Sequence, residues 1–226
     1  MRRDILTAAT AILVMTLLLG VAYPLLITGV GQVAFPGNAN GQQIKVNGRL
    51  IGSKIIGQSF ARPVAQKNGK PKEEEEELVT EPVLSYFQSR PSATEGGAYN
   101  AAASTFSNRG PNSTRTAEAD AENIKAYLEL NTAPGGRRYD PALRVARIPV
   151  DAVNTSASNL DPEISKANAW IQAYRVAALR RLPLSVVDGL ISKYTEGRGL
   201  GFSGEEGVNV IELNLALDRL TGGPGR

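Results

Sequence analysis

Apolar positions are spread unevenly along this chain. From Ile5 to Ile27 they run almost unbroken for 23 residues, interrupted only by scattered Thr, and no charged residue stands between Asp4 and Lys45. At about 1.5 Å per residue such a run reaches roughly 35 Å, enough to cross a hydrocarbon core of about 30 Å with some tilt. A cleavable signal would have a shorter apolar stretch ending in a small-x-small site, which Val21-Ala22-Tyr23-Pro24 does not supply. Residues 1–34 are therefore expected to form an uncleaved transmembrane anchor. Thr16 and Gly20 make a small-xxx-small pair that permits close helix approach, and Tyr23-Pro24 predicts an interfacial ring and a terminal kink. Arg2 and Arg3 precede the span, which places the N-terminus in the cytoplasm and the remainder outside.

Beyond the anchor the pattern changes period repeatedly. Ile44 to Gly52 alternates around Asn47-Gly48, a hairpin signal, because both central positions of a type I′ turn need positive φ. Ile55–Phe60 reads as a further strand or as continuation of the second. Residues 64–83 form a charged block, Lys67 to Lys72 followed by Glu73–Glu77, with no apolar face. It is expected to be a solvated, flexible insertion. Residues 86–115 show no period but carry Tyr86, Phe87, Tyr99 and Phe106, so they should be irregular and packed. A helix is predicted over Ala117–Leu130, capped by Thr116, with Ala117, Ala121, Ile124 and Leu128 on one face and Pro134-Gly135-Gly136 closing it. Val145–Val153 alternates like a strand.

Three helices follow. Asp161 as N-cap and Pro162 in the first turn open one with the stripe Ile164, Ala167, Ile171, Tyr174, Ala178 and Leu182. A second runs from Leu184 to Tyr194 with Val187, Leu190 and Ile191 inward. The last covers Val208–Leu220, with Asn209 as cap and Leu213, Leu217 and Leu220 inward. Short strands and late helices give an α+β class: one transmembrane helix, then one mixed α+β extracytoplasmic domain over 35–226.

Composition narrows the chemistry. The 226 residues include no Cys and no His, which excludes disulfides, Cys- and His-type metal sites, Ser-His-Asp and Cys-His nucleophile systems and His proton shuttles. A net charge of +3 is no nucleic-acid footprint. Gly197-Arg198-Gly199-Leu200-Gly201 mimics a phosphate cradle but lacks the Gly-Lys-Ser/Thr ending and the strand before it, so it is expected to be a connector. A Ser–Lys dyad stays open, although Ser53-Lys54 and Ser192-Lys193 are adjacent pairs whose side chains diverge. Neither catalytic nor metal-ligating residues are assigned.

Four stretches in order resemble one family. They are Tyr23-Pro24-Leu25-Leu26 with Gly31-Gln32 and Phe35-Pro36; Gly57-Gln58-Ser59-Phe60 with Arg90-Pro91-Ser92-Ala93 and Tyr99-Asn100; Ser156 to Leu160-Asp161-Pro162 with Gln172 and Arg175-Val176; and Asn209-Val210 with Leu213-Asn214 and Asp218. Together they resemble KdpC, the C subunit of the Kdp-type potassium-transporting P-type ATPase. The family ordinarily has glycines where Ala157 and Asn159 stand and Gly-Gly at Thr105-Phe106, and it lacks the Glu73–Glu77 insertion.

The resemblance implies a non-catalytic accessory subunit of a bacterial inner-membrane complex that hydrolyses ATP to import K⁺. It implies a channel-like K⁺-selecting subunit, a P-type ATPase subunit and a small membrane subunit as partners, besides the bilayer, and no nucleic acid. It implies no cofactor in this chain, with ATP, Mg²⁺ and K⁺ handled by the complex, and a "catalytic chaperone" role raising apparent ATP affinity. Against it stand an anchored external Ser–Lys hydrolase and an anchored binding module.

Overall fold

A computed structural model describes residues 1–63, 80–104, 110, 112–199 and 201–223. The chain divides into two compact units, Met1–Ser53 and Lys54–Arg226.

The first unit is dominated by one continuous helix, Arg2–Ala34, whose 33 residues and mean hydropathy of 2.4 over its most apolar stretch make it long and apolar enough to cross a membrane. It consists of α1 (Arg2–Met15), a π-helical turn (Thr16–Ala22) and α2 (Tyr23–Ala34). Pro24 was expected near the outer end, yet the helix continues past it for ten residues. Proline has no N–H to return to the carbonyl one turn earlier and its ring crowds that carbonyl. The wide turn absorbs both problems, so the expected terminal kink becomes a π segment inside the span. After a single turn, α3 (Pro36–Ala39), β1 (Gln43–Val46) and β2 (Arg49–Ser53) pair antiparallel. Asn47 and Gly48 take φ of 51° and 80°, the left-handed pair that the hairpin required.

In the second unit β3 (Ala61–Pro63) and β4 (Thr80–Pro82) pair antiparallel, and a three-stranded antiparallel sheet is built from β5 (Glu163–Ile164), β6 (Thr195–Glu196) and β7 (Gly207–Asn209), with β7 central. Around that sheet lie α4 (Thr114–Leu130), α5 (Lys166–Arg180), α6 (Leu184–Lys193) and α7 (Val210–Thr221). The main core joins Phe87, Ile164, Ala169, Ala173, Val176, Val187, Ile191, Val208, Val210, Leu213 and Leu217. A smaller core joins Tyr127, Leu143, Ala152, Val153 and Ile171.

Several expectations are corrected. Val145–Val153 is two 3-10 turns, Val145–Arg147 and Val150–Ala152, because Pro149 cannot donate to a ladder and instead precedes the second turn. Asp161 and Pro162 do not open a helix. The Asp161 carboxylate accepts the Glu163 N–H at 3.0 Å and turns the chain into β5, while Ser165 caps α5 by accepting from the Asn168 N–H. Helix α4 begins earlier than predicted, at Thr114, which places Thr116 within its first turn rather than at its cap. Of its predicted face, Ile124 and Leu128 pack on the smaller core, but Ala117 and Ala121 are exposed, and Tyr127 is its buried residue. Ile55–Phe60 is not a strand, Leu220 is exposed rather than inward, and Thr80–Pro82, expected within the mobile insertion, is strand. The rest of that insertion, 64–79, lies outside the described residues. The β6–β7 connector is a hairpin-like turn with Gly199 paired to Ser203.

Helix α5 shows the largest departure. Its core face is Asn168, Ala169, Ile171, Gln172, Ala173, Arg175, Val176 and Ala177, whereas Ala167, Tyr174 and Ala178 of the predicted stripe are exposed. Polar residues occupy core positions here, and an apolar-periodicity reading moves them outward.

Candidate functional site

Those buried polar side chains have a shared target. Leu84 and Ser85 form a turn closed by the Tyr86 N–H on the Val83 carbonyl, and residues 87–90 belong to no strand, so the backbone groups of Leu84–Arg90 must largely be met by side chains. Arg175 is fully buried. Its Nε donates to the Leu84 carbonyl (2.9 Å) and its Nη2 to the Tyr86 carbonyl (2.8 Å) and Gln172 Oε1 (2.9 Å), while Nη1 donates to Asn131 Oδ1 (2.9 Å). Every acceptor is a neutral oxygen. Burial lowers the guanidinium pKa to about 10, and the four hydrogen bonds offset that desolvation in place of a carboxylate.

Two side-chain amides extend the clamp. Asn214 on α7 accepts the Phe87 N–H and donates to the Phe87 carbonyl, both at 2.9 Å. Gln172 on α5 treats Gln88 the same way, at 2.8 and 3.1 Å. Arg180 adds the Ser85 carbonyl (2.7 Å), pairs with Asp218 (2.8 Å) and lies over the Tyr86 ring at 4.8 Å. The Tyr86 hydroxyl donates to the same Asp218 at 2.6 Å. Beneath this, Tyr127 donates to Asn168, which also binds Gln172 and, with Ser165, the Asp151 carboxylate.

A second junction anchors the downstream end. Arg90 Nη1 pairs with Asp161 at 3.0 Å and Nη2 reaches the Thr155 carbonyl at 3.2 Å. The Tyr99 hydroxyl donates to the Arg90 carbonyl (2.8 Å), although Tyr99 takes φ of 63°, an unusual backbone for a bulky residue. Burial pushes its phenol up to about 12. Ser92 donates to the Asn159 carbonyl and accepts the Tyr99 N–H, and the Asn159 side chain accepts the Ala93 N–H. Asn159 itself has φ of 59°, so the residue standing in a glycine's place keeps a glycine-like conformation. Gly57 donates to the Leu160 carbonyl at 2.7 Å and sits flat against the Tyr99 ring.

The remaining motif residues are also placed. The Gln58 carbonyl accepts from Ser89, and Phe60 stacks at a tilt on Tyr86 with centroids 5.5 Å apart. Pro91 lines a cleft of about 250 Å³ beside Gln88, Tyr127 and Gln172. Asn100 caps the 3-10 turn Ala101–Ala103, and the Ser156 carbonyl receives the Asn159 N–H. The Pro162 carbonyl receives the Val210 N–H, and Asn209 caps α7 while donating to the Lys54 carbonyl at 2.8 Å. Val176, Val210 and Leu213 lie in the main core. Thr16, Gly20 and Pro24 belong to the other unit, where a Cβ added at Gly20 would touch Thr16 at 3.8 Å, so these two small residues share one surface. The serine–lysine pairs point elsewhere: Lys54 ion-pairs with Glu212 at 2.6 Å, and the Lys193 ammonium stands 5.6 Å from the Tyr194 ring centre.

Sequence reasoning missed Asn131, Asp151, Asn168 and Arg180, and gave Asp218, at the end of the fourth family stretch, no role. For Asn168 the signal was its spacing, four and seven residues before Gln172 and Arg175, which puts three polar side chains on one face of α5; Asn131, past the end of α4, and Asp151, in a 3-10 turn, had no such signal.

Two comparisons bear on this arrangement. The family model described as KdpC, K⁺-transporting ATPase, c chain, matches residues 5–219. A protein named potassium-transporting ATPase KdpC subunit from Mycobacterium bovis (strain BCG) is 43% identical over 97% of this chain and 100% of its own. One of the same name from Methylococcus capsulatus is 44% identical, covering 94% and 96%, and another from Streptomyces coelicolor is 39% identical, covering 93% and 89%. With a match that takes in the apolar helix, the clamped segment and α7 alike, the chain belongs to the KdpC family.

Proposed function

We propose that this chain is a non-catalytic accessory subunit of an ATP-driven, high-affinity potassium importer. It holds the complex together and raises the apparent ATP affinity of the ATPase subunit through its partners. The observation that carries the reading is where the polar groups of the family residues go. Arg90, Ser92, Tyr99, Gln172, Arg175 and Asn214 spend their donors and acceptors on holding residues 84–93 in one conformation. Such an arrangement builds a rigid, preorganised shape for partners to pack on.

In this proposal Arg2 and Arg3 keep the N-terminus cytoplasmic, the helix Arg2–Ala34 spans the bacterial inner membrane and the Lys54–Arg226 unit stands outside. ATP and Mg²⁺ are handled by the ATPase subunit and K⁺ by the channel-like subunit. An external domain reaches nucleotide only indirectly, by shifting the populations of its partners.

The test is co-purification of the full-length chain with a channel-like subunit, an ATPase subunit and a small membrane subunit, together with K⁺-dependent ATP hydrolysis. Ser53→Ala, Lys54→Ala, Ser192→Ala and Lys193→Ala should each leave hydrolysis within a few-fold. Loss of hydrolysis from any one of them in an assembled complex would favour the hydrolase reading instead. A reporter fused after Leu220 that works only in the cytoplasm would reverse the topology.

A further inference from the structure

The exposed stripe of α5 opens onto a groove unrelated to the clamp. Ala167, Trp170, Ile171 and Tyr174 recur at helical spacing along one wall, Leu184 and Asp188 of α6 form another, and Asp140 and Arg147 close it, around about 340 Å³. Trp170, the chain's single tryptophan, is 47% exposed, and Tyr174 is 38% exposed. An aromatic pair this open on a folded surface marks a binding site more often than an isolated exposed leucine does.

The charges in the groove are unbalanced. Asp188 has no hydrogen-bond or ion-pair partner among the described residues, and burial pushes its carboxyl upward. The cations that could answer it are engaged elsewhere. Arg147 pairs with Asp140 at 3.9 Å, and Lys166 pairs with Glu206 at 3.4 Å while its ammonium stands 5.6 Å from the Trp170 ring centre. The Trp170 face thus already accepts an ammonium group. An unpaired carboxylate beside aromatic faces favours an organic cation, through Coulomb attraction and cation–π contact together. A metal ion would want several oxygen ligands, and the groove offers one uncommitted carboxylate.

We propose that this groove receives a lysine or arginine side chain from a neighbouring subunit, seated against Trp170 and Tyr174 with its charge on Asp188. The proposal rests on the accessory-subunit reading, and the experiment separates the two. In the full complex, Tyr174 is replaced by p-benzoylphenylalanine, which keeps an aromatic ring in place, and the complex is irradiated. Leu220 on α7, exposed and outside the groove, carries the same group as a control.

The expected product joins position 174 to a peptide of another subunit within a few residues of a lysine or arginine. Asp188→Asn should cut that yield about tenfold without changing the yield at 220. It should also leave the melting temperature unchanged or raised, because it removes an unpaired, partly buried charge. Adducts to lipid alone, to a peptide lacking basic residues, or in unchanged yield from Asp188→Asn would each overturn the assignment. If no partner subunit co-purifies at all, the accessory-subunit reading fails and the assignment falls with it.

Discussion

Gln172 holds Gln88 as a neighbouring strand would, accepting its N–H at 2.8 Å and donating to its carbonyl at 3.1 Å. One residue earlier, Asn214 does the same for Phe87. Two helices thus supply, through side-chain amides, the ladder that a sheet would have supplied through backbone.

Replacing Gln172 with Leu removes both bonds and strands the Gln88 N–H in the interior. A buried donor left unpaired costs its desolvation, so a loss of about 2–4 kcal/mol is expected. Chemical unfolding of the full-length protein in detergent checks this, and a loss below about 0.5 kcal/mol would show that the clamp is dispensable.

Arg175→Lys should fail to rescue what Arg175→Met loses. A lysine carries one compact ammonium and cannot span the acceptors at Leu84, Tyr86, Asn131 and Gln172. Both variants should unfold at lower temperature by similar amounts, as read by thermal unfolding. Near-wild-type stability for the lysine variant would contradict the four-way geometry.

Gly57→Ala should destabilise by about 1–3 kcal/mol, because overpacking at a rigid site is costly. Its Cβ would meet the Asp161 carbonyl at 2.5 Å as well as the Tyr99 ring. Trimming the ring by Tyr99→Ala should therefore not restore stability, since the backbone contact persists. A thermal-shift series over the single and double variants decides.

Alkaline pH should destabilise the fold. Tyr86 and Tyr99 are raised to about 12, both chiefly by burial, and Tyr127 is raised further for the same reason. A raised folded pKa means the folded state holds the proton more tightly. The stability it confers is complete below pH 10, the ordinary tyrosine value, and is lost as pH climbs towards 12. Arg175, lowered by burial, acts with the opposite sign but is one group against three. Phenolate absorbance followed alongside unfolding should show these tyrosines ionising late and with loss of structure.

Thr16→Leu with Gly20→Leu should weaken co-purification with membrane partners while leaving the Lys54–Arg226 unit folded. Two leucines on that shared surface would hold a neighbouring helix away. Unchanged recovery of the partners would move the helix contact to another face.

What could be read from the sequence followed from local physics. Asn47-Gly48, the Asn209 cap and the apolar span all declare themselves through their own neighbours. The α5 interior did not, because Asn168, Gln172 and Arg175 are buried only by virtue of the distant segment they serve. Asp161 misled for a related reason. Its carboxylate makes the turn a helix cap would make, and only the pairing of Glu163 with Asn209 directs the chain into a sheet. Trp170 and Asp188 were passed over because exposed aromatics and surface carboxylates carry no periodic signature.

The pairing of β3 with β4 places Pro63 directly opposite Thr80, so the two residues that bound the 64–79 segment stand side by side. Whatever chain joins those two residues adds no displacement to the path from Phe60 to Val83. Loop closure grows costlier only as the logarithm of length, roughly 0.6 kcal/mol per doubling. The hairpin base is therefore a cassette port: relatives can differ there in length and charge without retuning the clamp, and a fluorescent or affinity module can be spliced between Pro63 and Thr80 to follow the subunit in its assembled complex.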